Sequence, residues 1–300
     1  MAAPGWIDLL DPDERTLREH APVELGSSDV WQALRPPGDA RPRIVPRDDY
    51  VFGVLLVAVA VPSEDRVYYQ EIDFVLTDAA LLTIRKTPPD GSPFDPEPTR
   101  DSCRAGEPVG LHAAHLIDDV AEAYLRIVDD LEDEVDELED AMDEGAPRDT
   151  GRRIANLRRD MLRIRRTLAP TREAVRRLVD GRIDEHVKGD VVPREAGLLL
   201  ADVYDKLLRA AESLDVAREL VAGARDYHQA QIANAQNEVT KRLTVTASLL
   251  LVPTFIVGLY GQNFRHVPEL AWGFGYWWSW GWIVVTTIAQ LAFFRWKRWI

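Results

Sequence analysis

NEVTKRLTVTASLLLVPTFIVGLYGQNF, residues 237–264, is the stretch from which the architecture follows. From Leu243 to Tyr260 it holds no charged side chain. Roughly 18 such residues in a helix just cross a hydrocarbon core of about 30 Å. Lys241 and Arg242 stand directly before it, and Gly261-Gln262-Asn263 ends it in a short polar turn. A second apolar segment runs from Trp277 to Phe294, followed by Arg295-Trp296-Lys297-Arg298-Trp299-Ile300. Basic residues thus flank the outer side of both segments, while the link carries only Arg265, His266 and Glu269 as ionisable groups. The bias of lysine and arginine toward the cytoplasm predicts a two-span hairpin in the cell (inner) membrane, with both termini cytoplasmic and a short external link.

Whole-chain composition hides this hairpin. A mean hydropathy of −0.21 and 29% charged residues describe a soluble protein, because roughly 240 residues before the hairpin dilute the apolar signal. The formal charge of −14 argues against a nucleic-acid partner and is compatible with cations. Cys103 is the single cysteine, which excludes a disulfide framework and predicts no thiolate metal cluster. The first residues, Met1 to Asp8, lack a basic region followed by an apolar core, so no cleaved signal is expected.

Residues 1–109 read as a cytoplasmic α/β domain. Tyr50 to Val61, Arg66 to Leu76 and Leu81 to Arg85 are rich in branched and aromatic residues and predict strands, with Thr77-Asp78 as the turn between the last two. Asp11 to Glu19 and Ser27 to Leu34 predict short helices, the second capped by Ser27 or Ser28. Glycine-rich phosphate loops, nucleophile constellations and HExxH patterns are missing, so an enzyme is not expected. His112 and His115 could suggest a metal pair, but no third ligand stands nearby in sequence, which favours ordinary structural histidines.

Residues 110–193 predict a helical hairpin. Tyr124, Val128, Leu131, Val135, Leu138 and Met142 recur at spacings of three and four within an intensely acidic segment. After a break at Gly145-Ala-Pro147, Ile154, Leu157, Met161, Ile164 and Leu168 repeat the spacing within an arginine-rich one. Antiparallel folding would bury both seams and set acidic against basic flanks. A solvated hairpin accounts for the pattern; weak gathering of divalent cations by the acidic face is the functional alternative. Residues 194–242 predict a stalk helix whose seam is Val203, Leu207, Ala210, Leu214, Ala217, Val221 and Ala224. If continuous through Tyr260 it would extend roughly 100 Å, too long to bury its seam alone, which implies self-association. The remainder divides into a first transmembrane helix at 243–262, an external loop at 263–276, a second transmembrane helix at 277–294 and a basic cytoplasmic tail at 295–300.

Pro253 removes a backbone donor in mid-span, and Thr254 beside it suits a neighbouring helix or a water-filled pore better than lipid. One hairpin cannot enclose a pore, so transport would need a ring of subunits. The Gly261-Gln262-Asn263 turn would then lie at the outer mouth, where neutral oxygens suit a divalent ion that keeps its waters, as Mg2+ prefers to do.

Tyr260-Gly-Gln-Asn-Phe264, with Asn237-Glu-Val before it and Val267-Pro-Glu-Leu270 after it, resembles the signature of the CorA-type magnesium transporters, where the turn reads Gly-Met-Asn. The resemblance extends to Leu168-Ala-Pro-Thr-Arg-Glu173, Asp202-Val-Tyr-Asp205 and the basic C-terminal end, and is weakest before Asp49-Tyr-Val-Phe52. It implies a homopentamer with an α/β/α cytoplasmic domain and one stalk helix per subunit continuing into the pore. By position it implies a selectivity loop at Gly261, Gln262 and Asn263, with Asn263 facing the hydrated ion. Asn237 and Thr254 match polar pore-lining positions, and Leu243, Leu251 and Thr240 match the constriction. Asp202 matches a stalk carboxylate that binds regulatory Mg2+ between subunits, and Asp29 matches its partner from the neighbouring domain.

Gln262 replaces the commoner Met and leaves ion preference open, because a zinc-transporting branch also varies this position. The expectation is therefore a potential-driven channel-like transporter of Mg2+, with Co2+ or Ni2+ as further cargo, gated by intracellular Mg2+. A zinc or broad-range divalent transporter, with or without proton coupling, is the alternative within the class, mildly disfavoured because no Cys or His cluster suited to Zn2+ stands out. A membrane-anchored coiled-coil scaffold is the alternative outside it.

Overall fold

The computed structural model describes residues 5–38, 40–61, 66–89, 91–104, 106–143, 149–181, 183, 186–262 and 268–299. It divides into two units, Met1–Arg225 and Asp226–Ile300. The first unit is built on five strands: β1 (Trp6–Leu10), β2 (Arg43–Pro46), β3 (Val51–Val61), β4 (Arg66–Leu76) and β5 (Leu81–Arg85). Their order across the sheet is β1-β5-β4-β3-β2. β1 joins β5 in parallel, and every other pairing is antiparallel. The three runs expected as strands, β3, β4 and β5, form the centre of the sheet as consecutive antiparallel neighbours. The β4–β5 turn is tied by Thr77, whose Oγ1 accepts from the Ala80 amide at 2.9 Å.

Period-two alternation sends successive side chains of β3 into two cores. Val51, Leu55 and Val57 join one, Phe52 and Val54 the other. Gly53 sits opposite Phe74, and a Cβ at that position would lie 1.9 Å from the Phe74 ring. The ring therefore occupies the volume that glycine leaves open.

α1 (Glu14–His20) and α2 (Ser27–Leu34) cover one face through Leu17, Val30 and Ala33. The other face carries α4 (Val109–Asp143) and α5 (Thr150–Val179), which follow the short α3 (Glu97–Ser102), together with the first part of α6 (Arg194–Tyr260). The layering is α/β/α, but its second helical layer is supplied by α4, α5 and α6 and so lies beyond residues 1–109. Two details differ. Gly26, and neither serine, is the N-cap of α2, with no side-chain cap bond. α1 starts at Glu14 with Asp13 as its cap, while Asp11 accepts from the Thr87 backbone and hydroxyl instead.

The stalk seam corrects a larger expectation. Val203, Leu207, Ala210, Leu214, Ala217, Val221 and Ala224 are all buried within the single chain, Leu207 at 0% exposure. They share one core with the seams of α4 and α5. Lys206 reinforces this packing with ion pairs to Asp118 and Glu122 of α4, at 2.7 and 2.5 Å, and Arg165 of α5 reaches Asp215 at 3.7 Å. The seam is thus satisfied by its own hairpin and does not by itself demand a second copy. Between the hairpin's flanks, Arg153 meets Glu137 at 3.7 Å, while Gly145-Ala-Pro147 lies outside the described residues.

In the second unit, α6 continues to Tyr260, a short 3-10 turn spans Pro268–Ala271, and α7 occupies Gly275–Trp296. α6 contains 67 residues and includes a stretch long and apolar enough to cross a membrane. α7 contains 22 residues.

Candidate functional site: the free face of the apolar helix

In an α-helix each residue advances about 100° around the axis. On that count Asn237, Thr240, Leu243, Leu251, Thr254 and Gly261 fall within a face of about 120°, although they were singled out one by one. The same face contains Thr244, Ala247 and Gly258. These three were not picked out from the sequence, yet the 3-4 spacing 237-240-244-247-251-254-258-261 marks them. Every residue of this stripe is exposed in the chain, and Leu251 is 70% exposed.

Exposure is not confined to the stripe, since Leu250 is 67% and Val257 59% exposed. Val245 is buried, and the Ser248 carbonyl accepts a hydrogen bond from Gln290 Nε2 of α7 at 3.1 Å. α7 therefore packs on one flank of α6 and leaves the small and polar face free. That face has no partner among the described residues.

The hydroxyls on the stripe are arranged as oxygen acceptors. Thr240 Oγ1 donates to the Gln236 carbonyl at 2.9 Å, Thr244 Oγ1 to Thr240 at 2.8 Å, and Thr254 Oγ1 to Leu250 at 2.7 Å. Each donor is spent on the preceding turn, so only lone pairs face outward. Such a surface suits the hydrogens of a hydrated cation. Pro253 remains inside the helix, where its missing N–H releases the Leu249 carbonyl from the helical ladder. At the end, the Gly261 amide reaches the Val257 carbonyl at 2.9 Å and the Gln262 amide reaches Leu259 at 3.4 Å. Both residues are exposed. Asn263 lies outside the described residues.

The two aspartates expected to share a regulatory ion are placed very differently. Asp202 is exposed on α6. Asp29 is 1% exposed and fully engaged: Arg47 donates to it at 2.7 and 2.8 Å, and Tyr50 Oη donates at 2.8 Å. Burial alone would raise the Asp29 pKa, but these donors hold it below the usual carboxylate range. A cation reaching Asp29 has to displace Arg47.

Among the described residues, the acidic side of α4 contributes Asp119, Asp129 and Asp130 to a cleft that Asp95 and Arg126 also line. The His112/His115 pairing does not form a site. His112 is buried, and its neighbouring potential ligands are Cys103 and Glu107. These three potential ligands lie within 4.8 Å of one another, a juxtaposition the sequence did not suggest.

A mixed five-stranded sheet between helical layers is followed in sequence by a helix long and apolar enough to cross a membrane. The chain belongs to the family described as "CorA-like Mg2+ transporter protein", whose match spans residues 2–298. It is 28% identical over 264 residues to the cobalt/magnesium transport protein CorA of Thermotoga maritima, covering 87% of this chain and 73% of that protein. A putative metal ion transporter of Bacillus subtilis is 30% identical, with 98% and 89% covered. Among solved structures, the CorA magnesium transporter of Methanocaldococcus jannaschii superposes with a TM-score of 0.79 at 22% identity, covering 98% of this chain and 91% of that one. The cytoplasmic domain of ZntB from Vibrio parahaemolyticus matches at 0.59 and 16%, covering 77% and 89%.

Proposed function

We propose that this protein is a channel-like transporter of divalent cations, with Mg2+ as principal cargo and Co2+ as a second. In this reading α6 crosses the membrane at 243–262 and α7 returns across it, leaving the N-terminal unit and both termini in the cytoplasm. Five copies surround a pore, each turning its stripe from Asn237 to Gly261 toward the axis. The carrying observation is the stripe itself: one face of α6 gathers the small and polar residues with Leu243 and Leu251, and its threonine hydroxyls donate within the helix so that lone pairs face outward. Family membership and the names of the relatives support the same cargo.

The residues divide the work by chemistry. Asn263 and the backbone at Gly261 and Gln262 form the outer selectivity loop, accepting from the ion's own water shell, since Mg2+ dehydrates reluctantly. Thr254 and Asn237 continue the polar path. Leu243 and Leu251, with Thr240, narrow it, and closing apolar rings expel water and stop conduction. Entry is driven by the membrane potential, worth about 4.6 kcal/mol for a doubly charged ion at 100 mV. Asp202 binds intracellular Mg2+ as a feedback ligand, and Asp29 of a neighbouring copy joins it when Arg47 releases its carboxylate.

Uptake into liposomes containing the purified protein tests this, with Mg2+, Co2+, Ni2+ and Zn2+ compared and Asn263→Ala as control. Mg2+ flux that the variant loses is the expected result. Zn2+ flux alone, rising with a proton gradient, would replace the reading with zinc transport. No flux of any ion would leave a membrane-anchored scaffold.

A further inference from the structure

α3 ends at Cys103, its C-cap. The chain turns through Gly106, whose φ of +94° lies in the left-handed region that favours glycine. It enters α4 at Val109, with Glu107 just before the helix and His112 on its first turn. This short path brings Cys103 Sγ, a Glu107 carboxylate oxygen and a His112 ring nitrogen within 4.8 Å of one another.

His112 is the telling residue. It is 0% exposed, and neither ring nitrogen has a hydrogen-bond partner among the described residues. An unsatisfied buried polar group is costly, which points to a partner that the fold leaves room for. Trp6 stacks on the imidazole at 6.2 Å and 21°, which fixes the ring plane but satisfies no nitrogen. Glu107 takes one bond, from the Arg104 amide at 2.9 Å, and the Cys103 thiol lies 3.3 Å from the Thr99 carbonyl.

We propose that Cys103, Glu107 and His112 form a binding site for a transition-metal divalent cation, Zn2+ or Co2+, distinct from any site on α6. One thiolate and one carboxylate balance a doubly charged ion, and the imidazole adds a neutral nitrogen. Such a sulfur, nitrogen and oxygen set suits zinc-like ions in tetrahedral geometry, with water in the fourth position. It does not suit Mg2+, which demands near-octahedral oxygen. Ligand atoms on a tetrahedral zinc lie about 3.5 Å apart, so binding requires the three side chains to close by no more than about 1.3 Å. Burial, reinforced by Glu107 and Asp119, pushes the metal-free thiol up to about 11. Metal binding therefore replaces the thiol proton, which leaves to solvent. Burial also lowers the His112 pKa, keeping the imidazole in its neutral, ligating form.

Because the chain has a single cysteine, any thiolate-to-metal absorption reports on Cys103 alone. The purified full-length protein in detergent, stripped with chelator and titrated with Co2+, should show one such near-ultraviolet band per chain. Equimolar Zn2+ should abolish it, and about a hundredfold excess of Mg2+ should leave it intact. Cys103→Ser should remove the band. Glu107→Gln, at a half-buried position, should weaken Co2+ binding about tenfold or more. Zn2+ should also slow alkylation of Cys103 in the unmodified protein and much less in Glu107→Gln. A wild-type protein without the band, or Zn2+ protection of Cys103 that is unchanged by Glu107→Gln, would overturn the proposal.

Discussion

Buried carboxylates in the sheet show how far the fold controls single residues. Asp73 is 0% exposed on β4, beside Glu71 and Lys86. The Lys86 ammonium donates to Glu71 Oε1 and to the Gln32 carbonyl, both at 2.7 Å, and lies 2.9 Å from Asp73. One cation thus serves two acids. Burial, opposed by Lys86, pushes the Asp73 carboxyl from 3.8 up to about 7, with Glu71 adding to the rise and Arg35 opposing it. The folded chain then holds a proton that the unfolded chain has released across the interval between those values. Stability falls as pH rises through that window and does not recover above it. The melting temperature should drop between pH 5 and 7.5, and Asp73→Asn should flatten the slope; an equally steep slope in the variant would remove Asp73 as its source. Asp202, by contrast, is exposed and free to meet a cation. Asp202→Ala should leave Mg2+ uptake active at internal Mg2+ concentrations that silence the unmodified protein. Unchanged inhibition would take the regulatory role away from this residue.

Element by element, α6 does two jobs with one periodicity. Its first part spends the 3-4 repeat on a core shared with α4 and α5. Its last part repeats the spacing with Asn237, Thr240, Thr244, Ala247, Leu251, Thr254, Gly258 and Gly261, all left uncovered. Gly258 separates the possible meanings of that face. A Cβ there meets nothing within 4 Å, and leucine is the better helix former by roughly 1 kcal/mol. Gly258→Leu should therefore fold and insert normally. If the stripe lines a pore, the added side chains should cut cation flux at least tenfold; a face turned to lipid would leave flux unchanged. Purified oligomer of normal size in the variant separates a blocked path from failed assembly.

For the molecule as a whole, the division at Arg225 and Asp226 separates two kinds of stability. Residues 1–225 contain both cores of the sheet and the filled seam of the three long helices. Residues 226–300 expose Leu243, Leu250, Leu251, Phe255, Trp277, Val285 and Ile288. Apolar surface on that scale is suited to lipid or to other protein and not to water. A fragment ending at Arg225 should accordingly be soluble, helical and sheet-containing by circular dichroism, and melt cooperatively. Aggregation of that fragment would show that its core depends on the rest of the chain.

The elements that could be read directly were those whose signal is local. Charge-free length marked the helix from Leu243, runs of branched and aromatic residues marked β3, β4 and β5, and spacings of three and four marked the seams of α4, α5 and α6. β1 and β2 escaped because each is a short edge strand, of five and four residues, defined by its pairing more than by its own pattern: Trp6 pairs with Leu81, and Arg43 with Val54. The stripe residues were partly legible, since Thr244, Ala247 and Gly258 obey the same spacing but carry no distinctive chemistry. The sequence by itself determined the class of protein, because hydrophobic period and charge placement act within a few turns of chain. Only the tertiary structure decided what satisfies the stalk seam, that Arg47 occupies Asp29, that one lysine serves two buried acids, and that Cys103, Glu107 and His112 meet around an unsatisfied imidazole. Those outcomes depend on which side chains are brought together and cut off from water, and no local pattern records that.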